Sequence, residues 1–124
     1  MFNAQPILIV EDEFLIAMDL ADAVSDLDGA VIGPLDTVRA ALENLENRTI
    51  AGAIVDVNLR DRDIMPVIHA LIAANIPFVV YTANGLPPEF TRQNPFLPVM
   101  LKPSYAPDVA RRLLDEMVRH RPAG

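Results

Sequence analysis

The chain reads as a doubly wound α/β domain: a five-stranded parallel sheet with helices on both faces. Three observations lead there. Short apolar runs alternate with helically spaced apolar stripes five times along the 124 residues. The runs are continuously apolar rather than alternating, as strands covered on both faces require. Finally, Glu11-Asp12, Asp56, Thr82 and Lys102-Pro103 each follow such a run. In an open parallel sheet the C-terminal strand ends share one rim, and that rim is where ligands bind.

Ile7–Val10 is the first apolar run and reads as a central strand. Ile16, Leu20, Ala23, Val24 and Leu27 then recur at helical spacing, and Asp28-Gly29 closes that helix. Residues 30–33 read as the second strand. Asp36 or Thr37 can cap a second helix that runs to about Leu45. Residues 53–56 form strand three, and Ile64, Ile68, Leu71 and Ile72 mark helix three, with Pro66 tolerable only in its first turn. Residues 77–81 form strand four, where Pro77 fits only at the start. Leu86 to Gln93 allows at most two helical turns, with Pro88 at the first position. Val99–Leu101 is strand five, and Val109, Leu113, Met117 and Val118 stripe a last helix that ends near His120. Right-handed crossovers then give a flavodoxin-like strand order 2-1-3-4-5. Asp12, Asp56, Thr82 and Lys102 lie 44, 26 and 20 positions apart, which is two β-α units, then one, then one.

Composition narrows the function classes. The length allows one domain, residues 1–124, with no effector domain attached. An apolar fraction of 52% suits a packed core rather than a disordered chain. The absence of cysteine excludes disulfides, thiolate metal sites and cysteine nucleophiles. No signal-peptide pattern or membrane-length apolar run is present, so the expected location is cytoplasmic, with no membrane partner. A net charge of −7 argues against nucleic acid. The one basic cluster, Arg111, Arg112, Arg119 and Arg121, is interleaved with acids and suits a helix C-terminus. His69 and His120 read as solvent-facing helix residues, and Met18, Met65, Met100 and Met117 as core or turn fillers.

The rim residues define a chemistry. Three carboxylates about 5 Å apart repel by roughly 3 kcal/mol per pair at an effective dielectric near 20. Protonation or a bound cation relieves that. Carboxylates of Glu11, Asp12 and Asp56, with the Asn58 main-chain carbonyl, make an all-oxygen site suited to Mg²⁺, with Mn²⁺ as the substitute. Phosphoryl transfer needs mainly positioning and electrostatics. Asp56 would be the nucleophile, Lys102 the partner of a phosphoryl oxygen, and Thr82 a hydroxyl donor to the remaining oxygens. Each motif alone has a plainer explanation. Glu11-Asp12-Glu13 fits an acidic helix start, Asp56 a loop cap, Thr82 a strand end and Lys102-Pro103 a solvated turn. Their succession at four strand ends favours a common site.

Glu11-Asp12, Asp56, Thr82-Ala83 and Lys102-Pro103, in this order across nearly the whole chain, resemble the receiver domain of bacterial two-component response regulators, of the stand-alone type. The resemblance implies Asp56 as phosphoacceptor and Glu11 with Asp12 as the acidic pair that holds Mg²⁺. It implies the Asn58 carbonyl as a further ligand, Thr82 as the switch hydroxyl and Lys102 as the phosphoryl-binding ammonium. A histidine kinase or histidine phosphotransfer protein would be the donor, and an unidentified protein the downstream partner. The resemblance also implies a cis Lys102–Pro103 bond, slow self-catalysed hydrolysis without separate substrate turnover, and a responsive face at helix four, strand five and helix five. One departure stands out: Val99 occupies the position, three residues before the lysine, where such receivers commonly carry an aromatic ring. Residues 77–82 resemble a subgroup of stand-alone receivers that lacks this ring.

Two rival readings stay open on the same residues. With Val99 in place of the ring, the fold would serve as an interaction module indifferent to phosphorylation. A metal-dependent phosphatase with an aspartyl intermediate is the other; such enzymes often show Asp-x-Asp after strand one, where this chain has Glu11-Asp12-Glu13.

Overall fold

The computed structural model describes residues 1–59, 61 and 63–119. The His120 and Arg121 readings lie outside them. Strands and helices alternate as β1 (Pro6–Val10), α1 (Phe14–Asp26), β2 (Ala30–Leu35), α2 (Val38–Asn47), β3 (Gly52–Val55), α3 (Met65–Ala73), β4 (Phe78–Thr82), α4 (Pro88–Gln93), β5 (Val99–Leu101) and α5 (Ala106–Arg119). The sheet is parallel in the order β2-β1-β3-β4-β5, the flavodoxin-like arrangement expected.

β3 and β4 are buried throughout and β1 at all but its first residue, which is why they read as unbroken apolar runs. Side chains alternate across each strand and so feed two separate cores. Leu8, Val10, Val55 and Val80 pack toward α2, α3 and α4, against Val38, Val67, Ile68, Leu71 and Phe90. Ile7, Ile9, Ile54, Val79 and Tyr81 pack toward α1 and α5, against Leu20, Val24, Val109 and Leu113. Each fully buried aliphatic side chain here stabilises the fold by about 1.5–3 kcal/mol.

Local chemistry sets the element ends. α1 closes as expected, but Asp28 rather than Gly29 takes the left-handed backbone, with φ of 64°. Gly29 is required by space: a Cβ there would lie 2.5 Å from Val24 Cγ1. β2 runs two residues beyond the expected end at Gly33. Its register against β1 shifts between Leu8 and Val10, Gly33 has φ of 104°, and the Gly33–Pro34 peptide is cis. An edge strand tolerates Pro34, which has no N–H for the ladder.

The N-terminus of α2 is closed twice over. Thr37 Oγ1 accepts the Ala40 N–H at 3.1 Å, which decides between the two candidate caps. Asp61, 23 residues downstream, accepts the Val38 N–H on Oδ1 at 3.0 Å and the Arg39 N–H on Oδ2 at 3.3 Å. Donors that a helix start leaves without intrahelical partners are thereby satisfied.

Three apolar residues depart from the core expectation. Ile72, Val118 and Met18 are exposed. In α3 the inward positions are Val67, Ile68 and Leu71, while the buried Ile64 is the N-cap. Met65, Met100 and Met117 do pack against the cores. α4 is short, six residues begun by Pro88, as expected. In α5, Arg112 and Arg119 are taken up by the buried Glu116, at 3.2 and 3.6 Å. His69 is exposed and meets the Phe90 ring edge-on at 5.9 Å. Among the described residues, no helix is long and apolar enough to cross a membrane.

Candidate functional site

Each of three strands continues one hydrogen bond past its apolar run. Glu11 N–H donates to Leu35 O at 2.8 Å, Asp56 N–H to Val10 O at 2.9 Å, and Lys102 N–H to Thr82 O at 2.9 Å. These bonds fix Glu11, Asp56 and Lys102 at the C-terminal rim, beside Thr82 at the end of β4. The rim expected from the strand order is therefore built by main-chain pairing.

Side chains then converge. Oxygens of Glu11, Asp12 and Asp56 lie within 4.8 Å of one another. Glu11 and Asp56 are each 2% exposed and Asp12 is half-buried. Lys102 Nζ sits 2.8 Å from Glu11 Oε1, 3.1 Å from Asp56 Oδ2 and 3.9 Å from Glu13 Oε2. Asp56 Oδ1 accepts the Asn58 N–H at 3.1 Å. Glu11 Oε2 accepts the Glu13 N–H at 3.2 Å. Glu11 Oε1 has the Lys102 charge beside it but no hydrogen bond in line. A buried carboxylate oxygen left so is costly without further compensation. Thr82 is fully buried, and its hydroxyl accepts the Asn84 N–H at a long 3.4 Å.

Burial pushes the Glu11 carboxyl up, the Lys102 ammonium opposes this, and the Asp56 carboxyl adds to the rise by hydrogen bonding and by charge. The result is about 7. For Lys102, burial alone would lower the pKa, but the neighbouring Glu11 and Asp56 carboxylates outweigh it and hold the ammonium above its usual value. Excess negative charge and an under-bonded buried oxygen, in an all-oxygen donor set, fit a hard divalent cation such as Mg²⁺.

Glu11, Asp12, Asp56 and Lys102 thus form one cluster, with Thr82 bound to it through Lys102's main chain and Asn58 through its N–H. Lys102–Pro103 is cis, as the resemblance implies. Two residues that bear on these elements escaped the sequence reading. Tyr81 lies beneath Lys102, with 5.6 Å from Nζ to the ring centre. Asp61 ties the loop after Asp56 to α2. Asp61 belongs to no motif, and Tyr81 reads only as part of the 77–82 strand stretch, with no role of its own.

No protein-family model and no curated protein matches the chain. Solved structures do. SdrG from Sphingomonas melonis Fr1 is 39% identical, with a TM-score of 0.77, over 95% of this chain and 99% of SdrG. Its BeF3-activated conformation aligns over the same shares, also at 39% identity, with a TM-score of 0.71. A response regulator receiver protein from Sinorhizobium medicae WSM419 matches with a TM-score of 0.81 at 20% identity, over 98% of this chain and 100% of its own. The chain belongs to the response regulator receiver domains. This receiver is therefore a signalling module rather than a turnover enzyme. It also shares its fold with the receiver domain of sensor histidine kinase PA1611 from Pseudomonas aeruginosa PAO1, described with a magnesium ion coordinated in the active site cleft. That match has 20% identity and a TM-score of 0.77, over 93% of this chain and 98% of the other.

Proposed function

We propose that this receiver accepts a phosphoryl group from a phosphohistidine onto Asp56 in a Mg²⁺-dependent reaction and signals by protein contact. The observation that carries the reading is the pairing of a buried, otherwise acidic cluster with one ammonium, Lys102 Nζ, 3.1 Å from Asp56 Oδ2. Support comes from the 39% identical SdrG, which has a BeF3-activated conformation, and from the magnesium described in the PA1611 receiver.

Glu11, Asp12, Asp56 and the Asn58 main-chain carbonyl would hold the cation. When bound it draws charge from the phosphoryl group under attack. An Asp56 carboxylate oxygen forms the new bond to phosphorus while the donor P–N bond breaks and its electron pair returns to the imidazole. Lys102 moves from Asp56 to a phosphoryl oxygen, and the Thr82 hydroxyl donates to another. Both shifts load the ends of β4 and β5, which gives the two-state response its origin.

The test is intact mass after incubation with acetyl phosphate and Mg²⁺. One added phosphoryl mass is expected, lost in Asp56→Asn and in metal-free buffer. No gain from acetyl phosphate or from a phosphohistidine donor, with the protein folded and Mg²⁺ bound, would overturn the reading. Val99, which has no ring to reorient, favours one second reading: an interaction module that ignores phosphorylation. In that case Asp56→Asn leaves partner binding unchanged.

A further inference from the structure

We propose that Tyr81 is the positioning residue for Lys102, holding the phosphoryl-binding ammonium through the main chain that follows it. This rests on the reading of Lys102 given above. Tyr81 is buried at the end of β4, on the α1 and α5 side. Its hydroxyl stands between two groups of Ser104: it accepts the Ser104 N–H at 2.8 Å and donates to the Ser104 carbonyl at 3.1 Å.

Ser104 is two residues past Lys102, and its own hydroxyl donates to Leu101 O at 2.7 Å. The Lys102 N–H donates to Thr82 O. The main chain of Lys102 is thus gripped on both sides by neighbouring residues of β4: Thr82 before the side chain's branch point and Tyr81 beyond it. The Tyr81 ring also faces Nζ at 5.6 Å, within cation–π range. A lysine is a flexible four-carbon stem carrying a point charge. Fixing its root and offering its head an aromatic face narrows where that charge can stand.

A buried tyrosine hydroxyl needs a partner in any protein, so a structural role must be told apart from a positioning one. Tyr81→Phe keeps the ring and removes both hydrogen bonds; Tyr105→Phe, on an exposed ring, is the control. Two readouts are taken at saturating Mg²⁺: the second-order rate of phosphorylation by acetyl phosphate, and the order of the Lys102 ε-methylene by ¹³C relaxation. Tyr81→Phe is expected to slow phosphorylation about fivefold, the ordinary worth of one hydrogen bond, with Mg²⁺ affinity within twofold of wild type and a more mobile ε-methylene. A lower melting temperature with unchanged rate and unchanged order would overturn the proposal. Should the wild type take no phosphoryl group, the phosphoryl reading fails by itself. The ε-methylene then decides alone: loosened in Tyr81→Phe upholds the placement, unchanged overturns it.

Discussion

Lys102 Nζ stands closer to Glu11 Oε1, at 2.8 Å, than to Asp56 Oδ2, at 3.1 Å. The ammonium therefore does two jobs at rest. It faces the buried Glu11 carboxyl as well as the proposed acceptor itself.

Removing that charge strands both acids. Lys102→Met in EDTA is expected to lose about 3 kcal/mol, the low end for breaking a buried pair, because Glu11 can take up a proton instead. Millimolar Mg²⁺ should shrink the deficit, since a cation bound to the native state restores the balance. Urea unfolding with and without metal reads this. An equal loss in both buffers would count against the cluster as a cation site.

Glu11 gives the metal-free protein a pH signature. Its native pKa of about 7 exceeds the ordinary 4.5. Between those values the native state holds a proton that the unfolded state has released. Stability from this group is thus full below about pH 4.5 and is lost as pH rises through 7, by an amount on the order of 3 kcal/mol. To isolate this group's contribution, the comparison is with Glu11→Gln. The difference between the two unfolding free energies should change over pH 4.5–7 and be flat above. A difference flat from pH 4 to 8 would show that Glu11 titrates normally.

The double closure of α2 predicts two separable losses. Thr37→Ala and Asp61→Ala should each cost about 1 kcal/mol, the usual worth of a helix cap. They serve different N–H groups, so the double variant should be near additive. Only Asp61→Ala should also loosen the loop after Asp56, read by faster amide exchange at Asn58. Equal exchange in both variants would remove Asp61 from that role.

Much of this was legible in the chain because parallel strands buried on both faces have a plain signature. Ile7–Val10 and Phe78–Tyr81 cannot be half-exposed, and the residue after each such run must reach the same rim. Glu11, Asp56, Thr82 and Lys102 were found that way. Other features had weaker signals. Gly33-Pro34 reads as a stop, yet the edge position lets β2 continue to Leu35. Ile72, Met18 and Val118 look like core because apolar character permits burial without compelling it. Asp61 and Tyr81 could not be found by spacing. Both act on backbone groups, and backbone groups leave no mark on the sequence that names their partner.

Tyr81 and Thr82 are consecutive, and a strand turns consecutive side chains to opposite faces. Tyr81 joins the layer of α1 and α5, while Thr82 shares the face of Val80, which packs toward α3 and α4. If Asp56 is phosphorylated as proposed, one peptide bond separates two mechanical outlets for that event, one on each side of the sheet. Because the two cores do not share side chains, substitutions in one layer can retune its response and leave the other's packing intact. On that reading, such a domain can keep its donor and change its listener.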